Sequence, residues 1–210
     1  MTARSRRRRR KPSRLSLSPQ LALTILLAVG LVTWQLDTHV RLTLMWLVQI
    51  VVLLVIVGRK PPKLNYRLED VGRGALVGAV PALVILLLAG GVTRTVAENL
   101  YPGSDTAAVF QQAVLIAAPV EELFFRGFVQ ERWNAWAALV GYALLGVLCF
   151  LPTALQFPLV LLTVAFGWTA LGLLFAYVSR VYGLAAAVAA HACAATLLLV
   201  APMALGDLGL

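Results

Sequence analysis

The sequence has few charged residues, few cysteines and few histidines, and each shortage excludes a class of protein. Only 13% of its 210 residues are charged while 60% are hydrophobic, whereas about a quarter of the residues of a soluble domain are charged. This composition argues against a soluble enzyme and against a disordered chain. The two cysteines, Cys149 and Cys193, both lie in apolar stretches and give no disulfide framework. With two histidines and no His-Glu-x-x-His motif, we expect no metal site and no cofactor.

Long apolar stretches make up most of the chain. A helix of about 20 mostly apolar residues crosses a bilayer, and the qualifying stretches are residues 19–36, 40–58, 74–93, 107–130, 134–152, 157–178 and 183–202. The sequence therefore predicts an all-α fold, a polytopic membrane helical bundle of about seven transmembrane helices. We divide it into a basic tail (1–18), two helices with a basic loop (19–70) and a core (71–205).

The basic residues are distributed unevenly along the chain. The formal net charge is +9, and eight of the 18 basic residues lie within the first 14 positions. With the N-terminus in the cytoplasm, only Arg41 and Arg94 fall on the outer side, as the positive-inside rule requires. This pattern predicts a multi-pass protein of the inner or plasma membrane with its C-terminus outside. We expect the run Arg6 to Lys11 to contact anionic lipid rather than nucleic acid.

Three charged residues interrupt the fourth apolar stretch. Glu121, Glu122 and Arg126 would each oppose insertion by about 2.5–3.5 kcal/mol at mid-membrane, so they need partners. Glu122 and Arg126 are four residues apart, the spacing of an ion pair on one helix face. Glu121 is rotated by about 100° from Glu122 and must face another neighbour or a water-filled cavity. A carboxylate in such a place can act as a general base or acid.

His191 lies at a similar depth in the last apolar stretch. It is about 12 Å from the start of that helix near Gly183, and Glu121 is about 16 Å from Arg132 on an antiparallel helix. We therefore expect Glu121 and His191 to form one constellation that activates a water. Two alternatives stay open: the carboxylates are solvated at the membrane surface, or they form a purely structural network with Arg126.

Two stretches resemble a known family. The stretch "APVEELFFRGFVQERW" resembles the first signature of the CPBP family, Glu-Glu-x-x-x-Arg, here Glu121, Glu122 and Arg126. This family contains CAAX prenyl endopeptidases, bacteriocin-processing proteins and abortive-infection-like proteins. The stretch "FGWTALGLLFAYVSRVYGLAAAVAAHA" resembles its last two spans and places His191 in the signature His-x-x-x-Asn. The resemblance covers roughly residues 70–200.

The resemblance implies a glutamic-type intramembrane endopeptidase that cuts a peptide or protein tail near the cytoplasmic face. It implies that Glu121 is the base, that Glu122 and Arg126 support it, and that His191 donates to the oxyanion. The chain departs from the family pattern where the second signature, Phe-x-x-x-His, ends in Ala154, and where the third ends in Ala195. Two other functions stay open: a non-catalytic member that binds a peptide or partner protein, and a small transporter that uses Glu121 and Glu122 as a relay.

Overall fold

A computed structural model describes residues 17–57, 64 and 66–207. The helices in this part of the chain are α1 (Pro19–Val32), α2 (Thr38–Val57), α3 (Leu68–Leu100), α4 (Thr106–Gln130), α5 (Ala135–Cys149), α6 (Leu151–Gln156), α7 (Pro158–Val181) and α8 (Leu184–Asp207). The described residues form no strand, which confirms the all-α prediction. The expected lipid contact of the run Arg6 to Lys11 lies outside the described residues.

Five helices are long and apolar enough to cross a membrane: α2, α3, α4, α7 and α8. The helices α1 and α5 are apolar but shorter, with 14 and 15 residues. These seven helices correspond to the seven predicted spans, so the described chain is a helical membrane bundle. The predicted stretch 134–152 ends early, because α5 stops at Cys149 and the short α6 follows it.

The first turn of α2 contains an arginine that the sequence analysis treated only as an outer-side charge. Arg41 is completely buried. Its guanidinium donates from Nη1 to the carbonyl of Trp34 (2.8 Å) and from Nη2 to the carbonyl of Cys149 (2.6 Å). Because Cys149 ends α5, Arg41 satisfies a carbonyl that the helix leaves unpaired. It therefore fastens α5 to the connection between α1 and α2.

The helix α3 is longer than predicted and packs closely against α8. Proline commonly kinks a helix, but the backbone of α3 leaves helical geometry at Ala89 (φ −142°, ψ 33°), eight residues after Pro81. A Cβ atom at Gly74 or Gly78 would collide with the backbone of Ala186 or Ala190 in α8, respectively. The glycines thus let the two backbones approach, as small residues four apart do in membrane helices.

The helix α4 widens into a π-helix twice. Its segments Gln111–Ala117 and Phe125–Gln130 are π-helical, and the α-helical turn Ala118–Phe124 lies between them. That middle turn contains both glutamates, Glu121 and Glu122. Widened turns of this kind occur often at functional sites.

The last two helices are antiparallel neighbours joined by Tyr182 and Gly183. Gly183 has φ +95°, a left-handed conformation that favours glycine. The sharp turn brings α8 back along α7 and α3, and it carries His191 to the level of the middle turn of α4.

Candidate active site

Glu122 is the centre of a buried polar network. Its side chain is completely buried. One carboxylate oxygen, Oε2, lies 3.4 Å from Nε of Arg126, and the other, Oε1, lies 3.1 Å from Nδ1 of His191. The ion pair that the four-residue spacing predicts is therefore present, and it extends across to α8. A desolvated carboxylate needs such partners, because an isolated buried charge is strongly destabilising.

Arg126 is held by aromatic rings and by one backbone carbonyl. Its Nη2 donates to the carbonyl of Gly172 in α7 (3.0 Å). The guanidinium carbon lies 4.6 Å from the ring centre of Tyr142, a cation–π contact that a dry site strengthens. The arginine thus ties α4 to α5 and α7, and it fixes the position of Glu122.

His191 is fixed on both its edge and its face. Its Nδ1 contacts Glu122, and its ring stacks on Phe175 of α7 with centres 4.6 Å apart. Tyr142 meets the ring edge-on at 6.1 Å. In the described part of the chain, Nε2 of His191 has no hydrogen bond. The imidazole therefore keeps one ring nitrogen available for another molecule.

Glu121 faces away from this network, as its rotation from Glu122 predicts. Its Oε1 accepts a hydrogen bond of 3.1 Å from the indole Nε1 of Trp46 in α2. The residue is 6% exposed and lines a cavity. His191 lines the same cavity, so the cavity joins the two residues that were expected to share a water.

The cavity has a volume of about 50 Å³ and is bounded by six helices, α2, α3, α4, α5, α7 and α8. A space of this size holds water molecules where polar groups are present. The lining residues with polar groups are Glu121, His191, Trp46, Trp168, Tyr101, Tyr142 and Cys149. The rest of the described lining is apolar. The site thus combines one carboxylate with space for water in a dry surrounding.

Tyr101 lies in the connection between α3 and α4, at one end of this cavity. Its side chain is 3% exposed. Burial, followed by the nearby Glu121, raises the pKa of Tyr101 well above its usual range. The phenol is therefore protonated at neutral pH and can donate a hydrogen bond into the cavity.

The chain departs from the family signatures at Ala195 and Ala154, and the structure describes the side chain of Ala195 only. Ala195 is 7% exposed and lines the cavity one turn beyond His191. A side chain larger than alanine at this position would point at the same space as Glu121. Ala154 lies in α6, and its side chain is outside the described part of the structure.

Trp46 is the site residue that sequence reasoning missed. It is 75 positions away from Glu121 in the chain, and tryptophan in an apolar stretch is a common packing residue. The available signal was indirect: Glu121 needed a donor, and indole N–H groups buried in a membrane need an acceptor. The second histidine, His39, lies away from the site and is within hydrogen-bond distance of Pro102 and Ser104.

Residues 103–197 match a family model described as type II CAAX prenyl endopeptidase Rce1-like. This match supports the resemblance of the segment to the CPBP family. The matched segment contains Glu121, Glu122, Arg126 and His191, together with the departures at Ala154 and Ala195. It does not contain Trp46, which reaches the site from α2. Neither the curated proteins nor the solved structures include a significant match to the chain.

Proposed function

We propose that the chain is an intramembrane endopeptidase of the glutamic type, in which Glu121 activates the attacking water. The observation that carries the proposal is the cavity shared by Glu121 and His191, beside a completely buried Glu122–Arg126 pair that holds the histidine. The match of residues 103–197 to the Rce1-like family model supports the reaction class. Peptide-bond hydrolysis needs a base, a water and an oxyanion donor, and this cavity offers groups for each.

The reaction proceeds by addition of water to the scissile carbonyl. Glu121 takes a proton from the water as its oxygen bonds to the carbonyl carbon, and the carbonyl oxygen becomes an oxyanion. The same carboxyl then gives the proton to the leaving nitrogen as the C–N bond breaks, which yields a new carboxyl and a new amine. The Trp46 N–H on Oε1 leaves the second carboxylate oxygen, Oε2, to accept that proton.

The oxyanion needs donors that replace the missing asparagine at Ala195. His191 can donate from Nε2 when Nδ1 accepts from a protonated Glu122, or when the ring is doubly protonated beside the Glu122 carboxylate. Tyr101 and Tyr142 also line the cavity, and a tyrosine hydroxyl can donate a hydrogen bond. Removal of one such donor typically lowers the rate by about 10²–10³.

A peptide or protein segment is the proposed substrate, cut within the depth of the membrane. Glu121 is nearer to the Arg132 end of α4 than to its beginning, and this depth is the basis for expecting a cut near the cytoplasmic face. The cavity, however, extends from Glu121 in the opposite direction, towards Ala113. The depth of the base and the direction of the cavity therefore favour different sides of the membrane.

The second candidate is a non-catalytic member that binds a peptide without cutting it. The observation that favours it is Ala195 on the cavity wall, where the family signature has an amide side chain. In that case the cavity would receive a side chain of the partner, and Glu121 would serve only as a hydrogen-bond acceptor.

The test uses the purified full chain in proteoliposomes with a quenched fluorescent peptide library. We expect Glu121→Gln to lower turnover by about 10²–10⁴, because the base is lost while the shape is kept. Glu131→Gln, which changes an exposed carboxylate directly after α4, is the matched control and should retain turnover.

Equal turnover by the wild type and Glu121→Gln would contradict the proposal. If the wild type is inactive and the double variant Ala154→His/Ala195→Asn gains turnover, the non-catalytic candidate is supported instead. The double variant restores the two side chains that the family signatures contain.

A further inference from the structure

The ring of Tyr142 in α5 is fixed between the arginine and the histidine of the buried network. Its centre lies 4.6 Å from the guanidinium carbon of Arg126 and 6.1 Å from the ring centre of His191, to which it is nearly perpendicular. Phe125 and Phe175 meet the same ring edge-on, with centres 5.4 and 6.3 Å away. A ring with neighbours on these sides keeps one orientation relative to the network.

This packing accounts for a ring at position 142 but not for its hydroxyl. In α7, Gly172 leaves room for the ring, because a Cβ atom there would lie 3.1 Å from Cδ1 of Tyr142. A phenylalanine would make the same ring contacts. In the described part of the chain the hydroxyl has no hydrogen bond, and a buried hydroxyl without one is destabilising. Its partner must therefore be a molecule in the cavity that Tyr142 lines.

The hydroxyl of Tyr142 shares this property with the free atoms of the base and of the histidine. Oη of Tyr142, Oε2 of Glu121 and Nε2 of His191 all lack a hydrogen bond within the described chain. None of them is among the polar atoms that the packing seals without a partner, in contrast to Nη1 of Arg126. Each atom therefore keeps surface that a water molecule can touch, and the three residues line one cavity.

Tyr101 lines the same cavity but is held differently. It lies in the connection between α3 and α4, and its ring meets His39 edge-on at 6.1 Å. Tyr142, in contrast, contacts the ring of His191 directly. The side chains that orient Glu122 and His191 thus also orient the hydroxyl of Tyr142.

We propose that Tyr142 is a catalytic residue, and that its hydroxyl donates a hydrogen bond to the oxyanion where the family signature has an asparagine and this chain has Ala195. This inference rests on the proposed function and adds a residue to its chemistry. As the water oxygen bonds to the carbonyl carbon, an electron pair of the C=O bond moves to the oxygen, and Tyr142 donates to that oxygen. The phenol keeps its proton, and the C=O bond forms again as the C–N bond breaks. A donor that is already fixed stabilises this charge without reorganisation.

Tyr142→Phe removes the hydroxyl and keeps the ring contacts. In turnover of the peptide library we expect kcat to fall by about 10²–10³ with little change in KM, because the oxyanion forms only after the substrate has bound. Tyr177→Phe is the matched control, since Tyr177 in α7 is 54% exposed and does not line the cavity. An unchanged kcat in Tyr142→Phe would overturn the proposal.

Ala195→Asn in the Tyr142→Phe background tests whether the two positions serve the same oxyanion. Both residues line the cavity, so the new amide should restore a large part of the lost kcat. An amide at position 195 would not repair a defect of packing around the ring at position 142. A double variant no faster than Tyr142→Phe would overturn the replacement of the asparagine by Tyr142.

A binding measurement tests the same role without turnover. A tetra-alanine phosphinate, whose tetrahedral P–O⁻ group stands in for the oxyanion, is titrated into the purified full chain in detergent, and the tetra-alanine peptide is the reference. We expect the phosphinate to bind more tightly than the peptide, and Tyr142→Phe to weaken only the phosphinate, by about 10²–10³.

The two measurements separate the role of Tyr142 from the proposed hydrolysis. An inactive wild type with this binding pattern would refute the hydrolysis and leave Tyr142 as the oxyanion donor. Turnover by the wild type, with equal phosphinate affinity in Tyr142→Phe, would overturn the role of Tyr142 alone. An inactive wild type with no preference for the phosphinate would overturn both.

Discussion

Each charged residue of the site has a distinct partner, and this division determines what each can do. Glu122 lies between Arg126 and His191, so both of its carboxylate oxygens are paired within the protein. Glu121 has only the neutral indole of Trp46 as a hydrogen-bond donor among the described residues. Removal of one partner from a buried ion pair costs about 3–5 kcal/mol. Substitutions of Glu122 therefore affect folding, whereas those of Glu121 report on chemistry.

Trp46→Phe tests whether the indole positions the base. A hydrogen bond to a charged group contributes about 1.5–3 kcal/mol, which corresponds to a fall in kcat of about 10- to 100-fold. The ring is largely kept, so KM should change little. Steady-state kinetics and the pH profile of kcat provide the measurement, because loss of the N–H also alters the proton affinity of Glu121.

The matched control is Trp136→Phe, since Trp136 is exposed and far from the cavity. It should leave both kinetic constants unchanged. An unaltered kcat and pH profile in Trp46→Phe would show that the indole only packs against Glu121.

At the scale of helices, the contact between α3 and α8 positions His191. Ala190 precedes His191 in the chain, and its backbone touches α3 at Gly78. Any shift of this contact also moves the imidazole relative to Glu122. The packing of two small-residue faces is thus a condition for the polar network.

Gly78→Ala should destabilise the bundle and weaken this network. The new methyl group collides with the backbone of α8, and overpacking typically costs about 1–3 kcal/mol. We expect a lower Tm in detergent and lower turnover. Gly72→Ala is the control, because nothing lies within 4 Å of a Cβ at Gly72. An equal Tm for the two variants would contradict the close contact.

The sequence predicts the positions of the helices better than the long-range contacts between them. Apolar stretches are found from composition, and the Glu122–Arg126 pair follows from helix spacing, so both are local properties. The burial of Arg41 depends on a partner far away in the chain, the carbonyl of Cys149. The Trp46–Glu121 bond is missed for the same reason, since no local pattern links α2 to α4.

At the scale of the whole molecule, the seven helices and the distribution of arginines predict termini on opposite sides. Arg132 and Arg180 lie at one end of the bundle, and Arg94 lies towards the other, paired with Glu98. Because Arg41 is buried and hydrogen-bonded to carbonyls, the end of the bundle where α3 joins α4 carries even less exposed positive charge than the sequence count indicates.

Reporter fusions to the full chain test this topology. Alkaline phosphatase fused after the C-terminus should be active, since it folds only outside the cytoplasm, and a fluorescent protein at the N-terminus should be bright. An inactive C-terminal fusion, with membrane insertion confirmed by extraction, would mean an even number of spans or the opposite orientation.

Two parts of the structure that support the site lie outside residues 103–197. They are Trp46 in α2 and the face of α3 that packs on α8. A shortened chain that begins at residue 103 would keep every signature residue but leave Glu121 without its indole donor. It would also expose the face of α8 on which Gly74 and Gly78 pack. The segment that matches the family model therefore does not contain all the contacts of the site. Grafted alone into another protein, it would transfer the signature residues without the indole donor of Glu121 and without the helix on which α8 packs.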